Sequence, residues 1–153
     1  MALTRAHWES VARIYAEGIA GGDATFETEV PTFAAWDAAH DPGLRLVALE
    51  EGEVVGFAVL APVSARAVYA GVAESSVYVA PAAQGRGVGR ALSVECIDRA
   101  RARRARRVAL HSTPWMQTAH RLYESLGFVR APERDLQVSP DVLLLSFVLG
   151  LDR

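Results

Sequence analysis

Residues 74–90 read Glu74-Ser75-Ser76-Val77-Tyr78-Val79-Ala80-Pro81-Ala82-Ala83-Gln84-Gly85-Arg86-Gly87-Val88-Gly89-Arg90. A short strand-like run, Ser76–Val79, is stopped by Pro81. A glycine-rich turn follows, and a helical segment opens at Arg90-Ala91-Leu92. This strand–turn–helix order suits an anion. Glycines let the backbone approach a ligand closely, and unpaired amides at a helix start favour negative charge. Arg86 and Arg90 add positive charge on either side of the turn, so the expected ligand carries phosphates. The turn is not a nucleotide loop of the Gly-Lys-Ser/Thr type, because the chain contains no lysine. Nor is it a dinucleotide fingerprint: Gly85, Gly87 and Gly89 are spaced G-x-G-x-G, mid-chain and behind a proline.

Composition sets the outer limits. A chain of 153 residues points to one domain spanning 1–153. At 51% hydrophobic and 22% charged residues it has a globular balance rather than a disordered one. The net charge of −2 argues against general nucleic-acid binding. A single cysteine, Cys96, excludes an internal disulfide and fits a reducing compartment. No apolar run reaches the ~18 residues of a membrane span, and no secretory leader is recognised, so the expectation is a cytoplasmic protein with no membrane partner.

Outward from the turn, periodicity predicts the remaining elements. Thr4 caps a helix to about Ile19, with Trp8, Val11, Tyr15 and Ile19 on one face and Gly18, Gly21 and Gly22 at its end. A second helix runs from Thr32 to about His40, with Phe33 and Trp36 inward. Leu44–Glu50 and Val54–Leu60 read as a hairpin turning at Glu51-Gly52-Glu53. The strand at 74–80 precedes the turn, and a helix from Val88 to about Arg103 buries Leu92, Cys96 and Ile97. The end of that helix carries six arginines in the nine residues 99–107, read as a solvated helix terminus. Val108–His111 is a short buried strand, and Gln117 to Leu126 is a helix capped by Gly127. Phe128-Val129 opens a strand, Asp135 to Pro140 is loop, and Leu143–Leu149 is the last strand. Such an order gives a mixed α/β sheet with helices on both faces.

The pattern V-x-P-x-x-Q-G-R-G-V-G, Val79 to Gly89, resembles the pyrophosphate loop of the GNAT acetyltransferases. Ala24–Pro31, Ala61–Tyr69 and Ala73–Val79 resemble the phosphinothricin and methionine sulfone/sulfoximine N-acetyltransferases within that superfamily. This likeness covers residues 4 to about 95. Beyond it, Leu110–Met116 and Ala119–Phe128 resemble general bacterial GNAT enzymes. The branch's asparagine near the position of Met116 and its His-Gly-x-Trp loop are both absent. The resemblance implies the GNAT fold, with a mostly antiparallel mixed sheet. The first strand of that fold is missing here or reduced to Met1–Leu3.

The resemblance also implies acetyl-CoA as cosubstrate, a small amino-acid-like amine as acceptor, and a homodimer. It assigns Val77, Tyr78 and Val79 to the pantetheine strand, with the amide of Val79 or a neighbour as oxyanion donor. Gln84, Gly85, Arg86, Gly87, Val88, Gly89 and Arg90 are assigned to the pyrophosphate. Glu74 matches the branch's base, and Tyr123, four residues before Gly127, matches a tyrosine near the cofactor sulfur. Thr25, Phe26, Arg66 and Tyr69 are candidate acceptor contacts, Arg66 through a two-pronged contact to an anionic group. No metal site is expected, because His7, His40, His111 and His120 lack ligand spacing. Cys96 is expected in the core and His120 at the surface. Two other readings stay open: an enzyme acting on peptide amines, and a coenzyme-A-binding module with little catalysis.

Overall fold

Val54–Leu60, apolar throughout, lies near the middle of a mixed sheet and feeds both of its faces. In the computed structural model, which describes residues 1–21, 29–62 and 71–151, the strands are β1 (Arg45–Glu50), β2 (Glu53–Pro62), β3 (Val72–Val79), β4 (Arg107–Ser112), β5 (Val129–Arg130), β6 (Leu136–Ser139) and β7 (Val142–Gly150). They form a seven-stranded sheet in the order β1-β2-β3-β4-β7-β5, with β6 also on β7. Every pairing is antiparallel except β3 with β4. The first strand, expected to be missing or reduced to Met1–Leu3, is a single bridge between Ala2 and Leu46.

Alternation along the strands sorts side chains onto two cores. Helices α1 (Trp8–Gly21) and α2 (Phe33–Ala39) cover one face, where Val11, Ile14, Tyr15 and Trp36 meet Val47, Phe57, Val59 and Tyr78. Helices α3 (Val88–Ala102) and α4 (Gln117–Ser125) cover the other, where Leu92, Cys96 and Ile97 meet Leu46, Ala58, Leu60, Val108, Leu110 and Phe147. Val54 shares a face with Phe57 and Val59 despite the odd spacing. The register shift between Ala48 and Leu49 inserts Val55 unopposed and turns the strand over at that point.

Three expectations are corrected. Gly18 lies inside α1, which runs on to Gly21; glycine in a helix costs about 1 kcal/mol, less than the burial of the face it sits behind. Residues 136–139 are a strand rather than loop. Leu136 pairs with Leu144 and Gln137 with Leu143, and the Gln137 amide donates to the carbonyls of Ser139 and Val142 at 2.6 and 3.1 Å. A run this short has no strand signal of its own and is stabilised by its partner. His120 is half-buried rather than at the surface, with its ring centroid 5.0 Å from that of Phe147 and its Nε2 3.0 Å from the Thr113 carbonyl.

The arginine cluster is tied into the fold. Arg99 donates to the Gly43 carbonyl at 2.8 Å, and Arg103 pairs with Asp41 at 3.3 Å. Near the other end of α3, Gly56 lets the helix sit against β2. A methyl group there would stand 2.9 Å from the Tyr78 carbonyl, 3.0 Å from Val88 and 3.1 Å from Leu92. Gly56→Ala should therefore destabilise the fold by about 1–3 kcal/mol through overpacking, read as a lower urea midpoint.

Candidate functional site

The site begins where two strands part. β3 and β4 pair only through Val72, Ala73 and Glu74 against Arg107, Val108 and Ala109. Both strands then continue, to Val79 and to Ser112, with a cleft between them. A cavity of about 160 Å³ lies there, and Glu74, Val77, His111, Ser112, Met116 and Tyr123 are among its lining residues.

The edge of β3 facing this cleft is open. The Ala80 amide donates to Val55 on β2 at 2.9 Å, so in the β2–β3 register the residues bonded to β2 are Ala80, Tyr78, Ser76 and Glu74. The backbone groups of Val79, Val77 and Ser75 consequently point into the gap. The structure thus brings Val77 and Val79 to the cleft as donors and acceptors, whereas Tyr78 turns its side chain away into the stack of Tyr15, Phe57 and Tyr78, whose centroids lie 4.7 to 6.2 Å apart.

The cleft passes through the sheet. On the α1/α2 face stand Glu74 and His111, with Leu136 and Leu144 beside them. On the α3/α4 face stand Tyr123, Met116, Leu110 and the buried Ser112, whose Oγ has no hydrogen-bond partner. Tyr123 packs edge-on against Phe128 at 5.9 Å and tilted against Phe147 at 5.9 Å. Its hydroxyl has no partner among the described residues, and burial pushes its pKa up to about 12. It therefore holds its proton at any ordinary pH.

Glu74 has a side-chain partner on β4. His111 Nδ1 lies 3.1 Å from its Oε2, and His111 Nε2 lies 3.2 Å from the Arg134 carbonyl. Both acceptors face ring nitrogens, and only the imidazolium donates from both. The hydrogen bond to Glu74 raises the His111 pKa most; partial burial opposes it, and the Arg134 carbonyl adds to it. His111 was missed as a site residue. Val108 and Leu110 mark the buried face of β4, and the alternation does put His111 on the opposite face. What it meets there depends on the pairing of Glu74 with Ala109, which is invisible in sequence.

The glycine turn follows β3 directly. Pro81–Ala83 make one 3-10 turn, then Gly85 and Gly87 take φ of 80° and 85°, a region that side chains disfavour. Gly89 differs, since a methyl there would meet only ordinary contacts at 3.6 and 3.7 Å. Ala91 is the first amide bonded back into α3, to the Gly87 carbonyl at 3.0 Å, which leaves the amides of Val88, Gly89 and Arg90 pointing out of the helix start. Gln84 is exposed at the head of the turn. The two arginines are not waiting for a ligand: Arg86 pairs with Glu50 at 2.6 Å, and Arg90 donates to Ser125 at 3.0 Å. Both are exposed contacts, worth little and readily exchanged.

Thr25, Phe26, Arg66 and Tyr69 lie outside the described residues. Cys96 is buried in the core, and burial pushes its thiol up to about 12, so it is no nucleophile. No group of three or more metal-ligating side chains exists among the described residues. No helix there is long and apolar enough to cross a membrane.

Residues 8–128 match the family model described as the acetyltransferase (GNAT) family. The phosphinothricin N-acetyltransferase of Alcaligenes faecalis is 34% identical over 128 residues, which cover 80% of this chain and 65% of that relative. The chain thus spans just under two thirds of that relative's length. Among solved structures, yncA from Salmonella typhimurium with its cofactor acetyl-CoA superposes with a TM-score of 0.86 at 26% identity, over 100% of this chain and 93% of that one. A GNAT superfamily phosphinothricin acetyltransferase from Sinorhizobium meliloti in complex with acetyl-CoA gives 0.85 at 25% identity, over 98% and 86%.

The raised His111 pKa has a consequence for stability. Its favourable contacts are fully present below about pH 6.5, where the unfolded imidazole is also charged, and fade as pH rises through the higher folded value. The urea-unfolding advantage of this chain over its His111→Asn variant should shrink as pH rises above about 6.5.

Proposed function

The chain belongs to the acetyltransferase (GNAT) family, and we propose that it transfers the acetyl group of acetyl-CoA directly to the primary amine of a small, amino-acid-like acceptor. One observation carries this reading. A single cleft is lined from both faces of the sheet, with a carboxylate on one side and a protonated, unpartnered tyrosine hydroxyl on the other. The two substrates can meet within the sheet without an acyl-enzyme step, and Cys96, the chain's one thiol, is buried away from it.

Acetyl-CoA supplies the reactive thioester. The residues present fit it in three places. The open amides of Val77 and Val79 extend along the cleft as a strand edge for the pantetheine amides, and an amide at Val79 is placed to donate to the thioester carbonyl. The turn from Gln84 to Arg90 offers helix-start amides to the pyrophosphate, with Arg86 and Arg90 free to exchange their exposed partners for it. Tyr123 donates a proton to the departing thiolate. On the opposite face Glu74 holds the acceptor's ammonium and takes its proton. Thr25, Phe26, Arg66 and Tyr69 stay in the proposal as acceptor contacts through the family resemblance, as do a homodimer and a cytoplasmic location.

The acceptor class is supported by the likeness to phosphinothricin N-acetyltransferase. Thiol release from acetyl-CoA, measured with phosphinothricin, methionine sulfone, methionine sulfoximine, free amino acids, polyamines and short peptides, tests it. Turnover on the amino-acid-like compounds is expected. Turnover on peptides alone would move the acceptor to protein amines, and thermal stabilisation by coenzyme A without turnover would leave a binding module.

Within the active panel, Glu74→Gln and Tyr123→Phe should each lower kcat by about a hundredfold. Tyr123→Phe should leave the Michaelis constant for acetyl-CoA within about twofold of its starting value, since the phenyl ring keeps the packing against Phe128 and Phe147. An unchanged kcat in either variant would remove that residue from the chemistry.

A further inference from the structure

Each ring nitrogen of His111 faces an acceptor. Nε2 faces the Arg134 carbonyl at 3.2 Å, and a carbonyl only accepts. The Glu74 carboxylate only accepts as well, so a neutral ring donates to one of the two; in the tautomer with its proton on Nε2 it keeps the carbonyl bond and leaves Nδ1 open to a proton. Nδ1 is then the variable nitrogen, and it faces Oε2 of Glu74 at 3.1 Å. The imidazole lies in the cleft wall with its side chain 18% exposed, while the carboxylate beside it is 40% exposed and open to the gap. An imidazole thus stands behind the carboxylate that meets the acceptor, within hydrogen-bond reach of it.

We propose that His111 is the proton sink of the acceptor side, with Glu74 as the carrier between the substrate ammonium and Nδ1. This rests on the acetyl-transfer reading above and adds a residue to it. The ammonium N–H bond breaks as an O–H bond forms on Glu74. That O–H bond breaks in turn as Nδ1–H forms, which restores the carboxylate and leaves an imidazolium. The freed amine lone pair forms the C–N bond to the acetyl carbon while the C–S bond breaks, and the second nitrogen proton ends on sulfur through Tyr123. The imidazolium then returns its proton to water. A carboxylate alone is a poor final acceptor for an ammonium proton, because their ordinary pKa values differ by about 6 units; an imidazole narrows that gap to about 4. His111 acts through Glu74, so it is a positioning residue and does not touch the substrate.

The surroundings fix the sign of the pH response. Facing His111 are Glu74 from β3 and Asp135 from the segment before β6, both negative. Asp135 is already satisfied by Arg130 at 2.8 and 2.9 Å and by the Ser146 amide at 2.8 Å. The pair Glu74–His111 is therefore neutral overall when the ring is charged and carries one negative charge when it is not. Only the second form both attracts an ammonium and has room for its proton. kcat/KM should rise with pH through the His111 titration, above about pH 6.5.

Two measurements test this. The first needs no turnover: histidine ring NMR on the intact protein, with and without Glu74→Gln. The neutral ring should carry its proton on Nε2, and the His111 midpoint should fall in the Glu74→Gln variant. A neutral ring protonated on Nδ1, or a midpoint indifferent to Glu74, overturns the proposal. The second is the pH profile of thiol release, using an amine active in the panel, for the chain and for His111→Gln, which keeps a hydrogen-bonding amide but cannot titrate. The variant should lose the rising limb above about pH 6.5 and should lose at least about tenfold in kcat at the plateau, with its Michaelis constant for acetyl-CoA unchanged. An identical profile in both proteins removes the proton path and leaves acetyl transfer standing. Absence of turnover with every amine removes the acetyl-transfer reading and the proton path together.

Discussion

The sheet contains one place where its hydrogen-bonding ladder is deliberately left incomplete. β3 and β4 are the only parallel neighbours among the described strands, and they stay paired for three residues before separating. Buried or half-buried backbone groups without partners are costly, so an unpaired strand edge inside a sheet is tolerated only where something else satisfies it. Every other feature of the site is arranged around that gap. The glycine turn and the start of α3 lie just beyond the end of β3, α4 closes one side with Tyr123, and the β6–β7 hairpin closes the other with Leu136 and Leu144.

Keeping the gap open while the rest of the sheet stays rigid depends on packing on both faces. On one face, Gly56 lets α3 approach to within van der Waals contact of β2, which fixes the start of that helix relative to β3. On the other, the near-parallel rings of Tyr15, Phe57 and Tyr78 bind α1 to β2 and β3 together. The unopposed Val55 reconciles the two. It gives its carbonyl to the amide of Ala80 and re-phases β2, so that both cores are served by one strand. β3 therefore carries its open edge on a strand held from three directions.

Much of this was legible in the chain. The spacing of Leu92, Cys96 and Ile97 located α3 and its buried face, and the run from Val79 to Gly89 located the turn and the family. Gly85 and Gly87 are needed for the reason glycine usually is, their positive φ. What could not be read were relations set by register across long separations. Glu74 was found but its partner His111, 37 residues on, was not. Arg86 was read as positive charge beside the turn, but its partner Glu50, 36 residues back, was not found. β6 was read as loop because Leu136–Ser139 is too short to declare itself without β7. Local physics reaches about one turn or one hairpin along the chain; beyond it, the partner must be seen.

The ties at the far end of α3 bear on chemical durability. Arg99 to Gly43 and Arg103 to Asp41 hold that end to the loop before β1, and both cations are guanidinium groups in a sequence without lysine. A thioester slowly acylates exposed amines on any protein that meets it, and a lysine so modified loses its charge. A guanidinium stays protonated at all ordinary pH values and is a far weaker nucleophile than a free amine. The fastening of α3 is thus made of side chains that an acyl donor leaves intact, and the helix whose first amides point outward keeps its anchorage through prolonged exposure to such a donor.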